Sequence, residues 1–491
     1  MAGDFVVHNV QRSGRRIGAV SRPPSVRNAL SALHADPLAL PLAGGTDLLV
    51  DLHRGGPGDP VNVVDVTAIA GFTEIADGGD HYRLAGGVRH NQVIQHDGLV
   101  ESCLPLAQAC LEVGSAQLRN RATIAGNLAT ASPANDTISA LMALDATVEI
   151  SRLANDDIER QRVPVSDFFT GFRQTVLESG DLITAIEVPK LASSQRGIWV
   201  KLGLRRAQAI SVVHAGIVVS FADDSGTDST VTAARLAMGS VAPTVVLVPD
   251  VDEVLTGRSL TTEAIAAAAA AAARAVTPIS DGRATADYRV EVISVLLERS
   301  LAAIASGQHG SMWPEAPPTL STPAELSEAA SAPNAVLAAN DEITITLNGA
   351  SHTAGHGGEN LLDHVRDHCG STGMKEGCGE GECGACTMLL DGAAVMSCLV
   401  SAAQADGATV DTIEGLDHPI QQAFVDDFAV QCGFCIPGFL MSGARLLDEV
   451  DDPSNDQISH ALAGNLCRCT GYYPIIEAVR DAAVQIRGSD G

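Results

Sequence analysis

The chain has 491 residues, a formal net charge of −28 at pH 7 and few aromatic residues, which make up 3% of the sequence. This length is sufficient for several domains with cores of their own, and the strong negative charge argues against nucleic acid as a partner because a polyanion would be repelled. Residues 1–10 lack the pattern of a secretory signal, and the sequence has no run of about 20 apolar residues. We therefore expect a soluble, cytoplasmic chain without a membrane span.

The first informative stretch is a helix followed by a short strand and a loop. Residues 26–34 have an amphipathic helical pattern, and an apolar run then leads into the loop. A strand followed by two glycines and a hydroxyl residue can direct backbone N–H groups at a pyrophosphate, although this pattern alone more often marks an ordinary turn. The loop residues are Ala43, Gly44, Gly45, Thr46 and Asp47.

A second loop, at residues 119–136, is rich in small and hydrogen-bonding residues. Glycine and alanine would let a ring system approach the backbone, and threonine, asparagine and aspartate side chains could bind phosphate, ribose or ring edges. The candidate residues in this loop are Thr123, Gly126, Asn127, Thr130 and Asp136.

Residues 310–340 are rich in proline, alanine and serine, which predicts an extended linker. After it, residues 343–347 alternate like a strand, Asn348-Gly349 is a hairpin signal, and a helix is predicted over 360–368. His364 and His368 lie four residues apart on this helix, but no third metal ligand is evident in the sequence. We interpret the two histidines as ordinary helix residues.

Eight of the eleven cysteines lie between residues 378 and 469, in two groups of four. In the first group, Cys378, Cys383 and Cys386 have the C-x4-C-x2-C spacing of plant-type ferredoxins, with Cys398 as the more distant fourth thiol. Four thiolates can hold one [2Fe–2S] cluster by giving each iron two sulfur ligands. Glycines around these cysteines let the backbone turn tightly and direct N–H groups at the sulfurs.

The second group consists of Cys432, Cys435, Cys467 and Cys469, and its spacing matches no ferredoxin loop. Two close pairs of cysteines about thirty residues apart are compatible with zinc as well as with iron and sulfide, although zinc sites rarely use C-x-C. Clustered cysteines in a chain without a secretory signal favour a reducing compartment over disulfides.

The residues around the second group closely resemble the second iron–sulfur motif of the xanthine dehydrogenase (molybdenum hydroxylase) family. The two earlier loops resemble the flavin-binding subunit of the same family, and further similar stretches extend along almost the whole chain. The similar stretches are 43–47, 119–136, 180–189, 201–206, 239–244, 278–289, 431–438 and 465–472. Two departures from the family pattern are Ala125, where a glycine is expected, and Ile436, where threonine is expected.

The resemblance implies an α+β multidomain fold. Its parts would be an FAD-binding domain of the PCMH (vanillyl-alcohol-oxidase-like) type at 1–192, a CO-dehydrogenase-flavoprotein-like C-terminal α+β domain at 193–308, a linker at 309–340, a β-grasp plant-type [2Fe–2S] ferredoxin-like domain at 341–416 and a small helical [2Fe–2S]-binding bundle at 417–491. In most bacterial members the iron–sulfur part precedes the flavin part. Here the order is reversed, and a linker would let the modules rejoin in the usual arrangement.

The same resemblance assigns cofactor roles to particular residues. FAD would be held by the two loops together with Ile183 and Lys201, which match family residues, and Gln431 would meet the pterin of a molybdenum cofactor bound to a partner. The metal ligands would be Cys378, Cys383, Cys386 and Cys398 for the cluster nearer FAD, and Cys432, Cys435, Cys467 and Cys469 for the cluster nearer molybdenum. No catalytic residue is assigned to this chain.

These assignments lead to one functional hypothesis. The chain would be the FAD and iron–sulfur subunit of a molybdenum hydroxylase, carrying electrons from a separate large molybdopterin-binding subunit to NAD+ or another acceptor, in a dimer of heterodimers. Alternatives are the same role in a carbon monoxide, aldehyde or N-heterocycle dehydrogenase, a stand-alone flavin and iron–sulfur reductase, or an interaction module with structural clusters.

Overall fold

A computed structural model describes residues 16–55, 58–223, 229–327 and 335–489. The chain divides into two compact units. The first unit contains residues 1–69, 330–458 and 465–491, and the second contains residues 70–329 and 459–464. Within the described ranges, no helix is both long enough and apolar enough to cross a bilayer.

The N-terminal part of the first unit is a small parallel sheet with two helices. Its elements are β1 (Ile17–Arg22), α1 (Val26–Ala35), β2 (Leu40–Leu42), α2 (Leu48–Arg54) and β3 (Val61–Asp65), with β3 between β1 and β2. The predicted helix is confirmed, and Ser25 caps it by accepting a hydrogen bond from the Asn28 N–H. The 43–47 loop joins β2 to α2.

The second unit begins with a five-stranded sheet covered by short helices. The elements are β4 (Ile75–Asp77), β5 (His81–Ala85), α3 (His90–Ile94), α4 (Asp97–Ser102), α5 (Leu104–Leu111), α6 (Ala116–Arg119), α7 (Ile124–Thr130), α8 (Asp136–Ala143), β6 (Thr147–Ala154), β7 (Asp157–Pro164), β8 (Phe169–Gly171), β9 (Gln174–Thr175) and β10 (Leu182–Pro189). The strand order is β4-β5-β10-β6-β7, and β8 pairs with β9. Leucine, isoleucine, valine and alanine fill the core between sheet and helices, with Phe168 as a buried aromatic residue.

The second unit continues as an antiparallel sheet packed on long helices. The elements are β11 (Gln195–Gly203), β12 (Ser211–Phe221), β13 (Val231–Gly239), β14 (Val246–Leu247), α9 (Pro249–Leu255), α10 (Thr262–Arg274), α11 (Ala286–Ala305) and the short α12 (Pro323–Ser327). The strand order follows the sequence, and aliphatic side chains of the sheet and helices form one core.

The rest of the first unit contains the two cysteine groups. Its elements are β15 (Ala335–Ala338), β16 (Glu342–Leu347), β17 (Ala350–Gly355), α13 (Leu361–Asp367), β18 (Thr387–Leu390), β19 (Ala393–Met396), β20 (Thr409–Asp411), α14 (Ile420–Asp426), α15 (Ile436–Glu449), α16 (Asn455–Leu462, which continues into the second unit) and α17 (Tyr473–Ser489). Strands β16 to β20 form a mixed five-stranded sheet. The predicted hairpin is confirmed, because Asn348 and Gly349 have φ angles of 49° and 80° between β16 and β17.

The segment expected to be an extended linker departs from that prediction at two places. Thr319 is buried, and its carbonyl oxygen accepts hydrogen bonds from the side chains of Asn91 and Asn120. Further on, β15 pairs antiparallel with β1. Composition alone suggested a solvated segment. In the structure, asparagine side chains of the second unit bond to the backbone of Thr319, and the open edge of β1 bonds to the backbone of β15. Residues 328–334 of the predicted linker lie outside the described ranges.

Candidate cofactor centres

The first cysteine group lies in a tight loop that precedes β18. Three glycines of the loop have positive φ angles, which residues with a side chain rarely adopt. They are Gly379 (68°), Gly381 (73°) and Gly384 (66°), and they let the loop fold back on itself around its cysteines. Cys378 and Cys383 are half-buried, whereas Cys386 and Cys398 are buried, the latter in the turn after β19.

The thiols of this loop form two close pairs. The thiol of Cys383 donates to Cys378 and lowers the pKa of Cys378 to about 5, while Cys398 likewise lowers the pKa of Cys386. The backbone N–H groups of Glu380 and Glu382 lie 3.4 and 3.2 Å from the Cys378 sulfur. Because N–H donors stabilise thiolate, and two pairs of thiolates are what two irons require, the donor set fits a [2Fe–2S] cluster.

The second cysteine group comes from two places in the fold, the start of one helix and the loop between two others. Cys432 and Cys435 precede α15, and Cys467 and Cys469 lie between α16 and α17. Cys469 donates to Cys432, and Cys435 lies within hydrogen-bond reach of Cys467. Thr470 donates both its N–H and its hydroxyl to the Cys467 sulfur, at 3.4 and 3.1 Å.

Four thiols in two pairs, with donors directed at a sulfur, again fit a [2Fe–2S] cluster. Tetrahedral zinc would use the same four sulfurs, so this geometry alone does not distinguish the two metals. The eleven cysteines, all within the described ranges, form no disulfide.

The loops of the two cysteine groups are in direct contact. The Leu466 N–H donates to the Cys383 carbonyl oxygen at 2.9 Å, and the Asn465 side-chain amide donates to the Gly384 carbonyl oxygen at 3.1 Å. Gly438 on α15 approaches the same carbonyl so closely that a Cβ at this position would collide with it. The backbone beside Cys467 is therefore bonded to the backbone of Cys383.

The 43–47 loop also contacts the chain around the first cysteine group. Gly45 has a φ of 78°, and a Cβ at this position would be 2.9 Å from the carbonyl oxygen of Leu399, the residue after Cys398. Gln404 donates its side-chain amide to the Ala43 carbonyl oxygen at 3.1 Å and to Asp65 Oδ1 at 3.0 Å. The sequence gives no signal for this contact, because Gln404 and Ala43 are 361 residues apart.

A second contact that sequence analysis missed joins α2 to the first cysteine loop. Arg54 donates from Nε and from one terminal nitrogen to the two carboxylate oxygens of Glu380, each at 2.7 Å. This bidentate pair is solvent-exposed, and its contribution is to orient the loop more than to stabilise it. Charged residues in α2 and in the cysteine loop are visible in the sequence, but their pairing across the chain is not.

The other residues predicted to bind FAD lie in the second unit, around α7 and α8. Thr123 caps α7 by accepting a hydrogen bond from the Gly126 N–H at 2.9 Å, and Thr130 donates to the Gly126 carbonyl oxygen at 2.9 Å. Asn127 accepts from Thr137 Oγ1 at 2.5 Å. The structure thus brings Thr123, Gly126, Asn127 and Thr130 together on one short helix, whose fold depends on these bonds.

Lys201 and Asp136 form a buried ion pair. Lys201 Nζ is 2.6 Å from Asp136 Oδ2, with the lysine side chain only 3% exposed, and it also donates to the Glu112 carbonyl oxygen at 3.1 Å. Ser211 donates to Asp136 Oδ1 at 2.6 Å. Two residues that were predicted separately therefore bind each other, while Ile183 is buried in β10.

Gln431 and the second cysteine group reach the surface. Gln431, Cys432 and Cys469 are exposed, in contrast to the buried Cys386 and Cys398. Large apolar side chains nearby in sequence are exposed as well. They are Phe428, Phe434, Leu466 and Tyr473, and we call these four residues the apolar rim.

Four family models match successive parts of the chain. Residues 14–191 match the FAD binding domain in molybdopterin dehydrogenase, and residues 199–304 match the CO dehydrogenase flavoprotein C-terminal domain. Residues 345–411 match the 2Fe-2S iron-sulfur cluster binding domain, and residues 409–480 match a [2Fe-2S] binding domain. The last match favours iron and sulfide over zinc at the second cysteine group.

Known proteins each resemble a part of the chain. The nicotine 6-hydroxylase small subunit of Paenarthrobacter nicotinovorans is 50% identical over 155 residues, covering 30% of this chain and 94% of that protein. The nicotinate dehydrogenase small FeS subunit of Eubacterium barkeri is 44% identical over 146 residues, covering 28% and 93%. A solved structure of carbon monoxide dehydrogenase from Hydrogenophaga pseudoflava aligns with a TM-score of 0.54 at 28% identity, covering 60% of this chain and 98% of that one.

The α+β architecture, the FAD-binding domain and the two [2Fe–2S] domains predicted from the sequence are thus confirmed. The first two relatives are named as small subunits of a hydroxylase and a dehydrogenase. This chain belongs to the xanthine dehydrogenase (molybdenum hydroxylase) family, as a subunit that combines the FAD and the [2Fe–2S] parts.

Proposed function

We propose that this chain conducts electrons from a molybdenum centre on a separate large subunit, through the second and then the first cysteine group, to FAD, and from there to NAD+ or another acceptor. The bound clusters would supply one-electron carriers and the bound flavin a carrier of electron pairs. The chain's own residues hold these groups in sequence, exclude water from some of them and tune their surroundings.

One observation carries this proposal, namely the unbroken contact between three loops of the first unit. The 43–47 loop touches Leu399 beside Cys398, and the loop of Cys383 is bonded to Leu466 beside Cys467. The loops therefore follow one another in the order flavin loop, first cysteine group, second cysteine group. Electrons would pass through these loops in the opposite direction, from the second cysteine group to the first and then to the flavin. The order of the loops in space differs from a simple succession along the sequence, since the 43–47 loop is far from Leu399 in the chain.

The large subunit would dock on the apolar rim. Tyr473 is 82% exposed and Phe428 83% exposed, and a group of large apolar side chains around an exposed cofactor site is typical of a protein interface. Gln431 lies at the same end of the chain's electron path and would face the pterin. Free cysteines throughout the chain support a reducing, cytoplasmic location, and paired heterodimers are the expected assembly.

Substrate choice would lie on the large subunit. The relatives are named for nicotine, nicotinate and carbon monoxide, and they share the flavin or iron–sulfur parts with this chain. The same subunit therefore suits several substrates, including aldehydes and N-heterocycles. The competing proposal is a stand-alone flavin and iron–sulfur reductase, which would not need the apolar rim.

The deciding experiment is to purify the chain from its native host without denaturation and to measure iron, flavin and molybdenum together. We expect about four irons per flavin, from two clusters of two irons, with molybdenum on a second, larger polypeptide. The variant Tyr473→Glu should lose the large polypeptide and the molybdenum while it keeps iron and flavin. Leu38→Glu, at an apolar residue that is 84% exposed elsewhere in the first unit, is the control.

Two results would contradict the proposal. Purified chain with its full iron and flavin but with neither molybdenum nor a larger polypeptide would support the stand-alone reductase. Retention of the large polypeptide by Tyr473→Glu would show that the apolar rim is not the docking surface.

A further inference from the structure

Near the first cysteine group, three side chains that the proposed electron path does not use come together at α13, one from the segment before the helix and two from the helix and its C-cap. They are Glu359, His364 and His368, and their ligand atoms all lie within 4.8 Å of one another. His368 Nε2 is 2.9 Å from Glu359 Oε1, His364 Nδ1 is 3.7 Å from the same oxygen, and the two imidazole rings are 5.4 Å apart between centroids.

His364 is the unusual member of this cluster. It is completely buried, yet neither of its ring nitrogens has a hydrogen-bond partner within the described ranges of the chain. Each ring nitrogen of an imidazole carries either an N–H donor or an acceptor lone pair. Burying either one without a hydrogen-bond partner is unfavourable. A buried polar group without a partner requires an explanation, and a bound ion is one of them.

His356, a neighbouring buried histidine, shows what a purely structural histidine looks like here. Its Nε2 is 2.8 Å from the Ala338 carbonyl oxygen, and its Nδ1 accepts the Gly358 N–H at 3.2 Å. Both nitrogens of His356 are therefore used. The contrast with His364 shows that this part of the fold can satisfy a buried imidazole when the imidazole serves packing alone.

We propose that Glu359, His364 and His368 bind one divalent cation of the zinc class. Two imidazole nitrogens and one carboxylate oxygen are ligands that zinc accepts, with a fourth position left for water. Bonds of about 2.0–2.2 Å place tetrahedral ligand atoms about 3.4 Å apart, so the observed spacing needs only small side-chain rotations to close on an ion. The ion would give His364 the partner that it lacks.

The position of the site indicates a structural role. Glu359 lies one residue before Asn360, the N-cap of α13, and His368 is the C-cap, so an ion between Glu359 and His368 would tie together the two ends of the helix. The same segment bonds to the chain after Cys398, because the Glu359 carbonyl oxygen accepts the Ala402 N–H at 3.0 Å and the Leu361 N–H donates to the Val400 carbonyl oxygen at 2.8 Å. The ion would therefore brace the turn that carries Cys398, independently of the proposed electron path.

The test uses the purified full chain with its iron and flavin in place. After treatment with a chelator, the chain is given zinc, dialysed and analysed for metal content, for thermal unfolding and by zinc-edge X-ray absorption. We expect about one zinc per chain, a higher Tm with zinc than without it, and a shell of nitrogen and oxygen at about 2.0–2.1 Å with imidazole scattering.

Variants separate this site from the cysteines. His368→Gln and Glu359→Gln, at a partly exposed and a half-buried residue, should retain almost no zinc while keeping the iron and flavin of the unmodified chain. His34→Gln, at an exposed histidine of the first unit, should bind zinc normally. A sulfur shell at about 2.3 Å would place the zinc at cysteines, and equal zinc retention by all variants, or none by the unmodified chain, would likewise overturn the proposal.

Discussion

Leu466 donates its backbone N–H to the carbonyl oxygen of Cys383 at 2.9 Å, which joins the loops of the two cysteine groups by a single main-chain bond. Gly384, the next residue, receives the Asn465 amide and faces Gly438 of α15. The distance between the two proposed clusters is thus set by backbone contacts that leave no room for an extra side chain. This relationship leads to the first prediction.

The substitution Gly438→Ala should push α15 away from the first cysteine loop, because the new Cβ would collide with the Gly384 carbonyl oxygen. We expect weaker magnetic coupling between the two reduced clusters in electron paramagnetic resonance spectra, and a lower Tm. Gly488→Ala is the matched control, since that helical glycine has open space around its Cβ position. Unchanged coupling in Gly438→Ala would show that the contact does not set the spacing.

Removing Lys201 should destabilise the second unit strongly. Lys201→Met leaves Asp136 buried and unpaired, which typically costs about 3–5 kcal/mol and would lower the apparent Tm by roughly 10 °C. Lys190→Met is the control, because Lys190 forms an ion pair of the same 2.6 Å length with Asp77, but one that is open to solvent. We expect a much smaller loss there, because water screens an exposed ion pair. Similar Tm losses in the two variants would show that burial of the Lys201–Asp136 ion pair does not determine its effect on stability.

His214 should make the second unit less stable in mild acid. Burial lowers the pKa of His214 to about 4, and the neutral ring is held by Ser139 Oγ at 2.7 Å and the Pro133 carbonyl oxygen at 3.2 Å. Between pH 6.5 and 4 the unfolded chain binds a proton that the folded chain does not, so the free energy of unfolding should fall, by up to about 3 kcal/mol.

The measurement is the Tm of the unmodified chain and of His214→Gln between pH 7.5 and 4.5. The difference in Tm between the two proteins at pH 7.5 reports the packing that the variant loses. The further fall in Tm between pH 7.5 and 4.5 should be smaller in the variant than in the unmodified chain. His90, whose pKa burial lowers to about 3, remains in both proteins and keeps part of the acid sensitivity. Parallel pH profiles for the two proteins would show that His214 is not responsible.

Replacing one cysteine of the first group should remove one cluster and spare the other. Cys398→Ser alters the buried thiol that pairs with Cys386, so we expect iron to fall from about four to about two per chain, with one of two cluster signals retained. Cys369→Ser, at a half-buried cysteine outside both groups, should keep all the iron. Equal iron loss in both variants would contradict the ligand assignment.

The first cysteine group was predictable because the spacing of ligands along a short loop is itself a sequence property, whereas the second group, split between two distant pairs, could be interpreted only through its resemblance to a family. The hairpin at Asn348-Gly349 and the helix that follows were predictable for the same reason, since local dihedral preferences and capping decide them. The 43–47 and 123–127 loops could be recognised as candidate flavin loops only through their resemblance to a family.

Contacts between distant segments were not predictable. The pairing of Gln404 with Ala43 and of Arg54 with Glu380 depends on how the chain returns to its N-terminal part, and neither pair has a local signal. Glu359 was missed as a partner for His364 and His368 because it lies outside the helix that aligns the histidines. Alanine-rich composition likewise hid β15, whose strand depends on the open edge of β1.

That strand has a consequence for how such a chain can be divided. Strand β15 follows the flavin domains in sequence but completes the sheet that begins the first of them. If the flavin and iron–sulfur parts were encoded by two genes with the break before Ala335, the iron–sulfur polypeptide would have to donate its first strand to the other polypeptide. A break after Ala338 would instead leave the strand at the end of the flavin polypeptide, where it could pair within its own chain. The site of division therefore decides whether the two products assemble by strand exchange or only by surface contact.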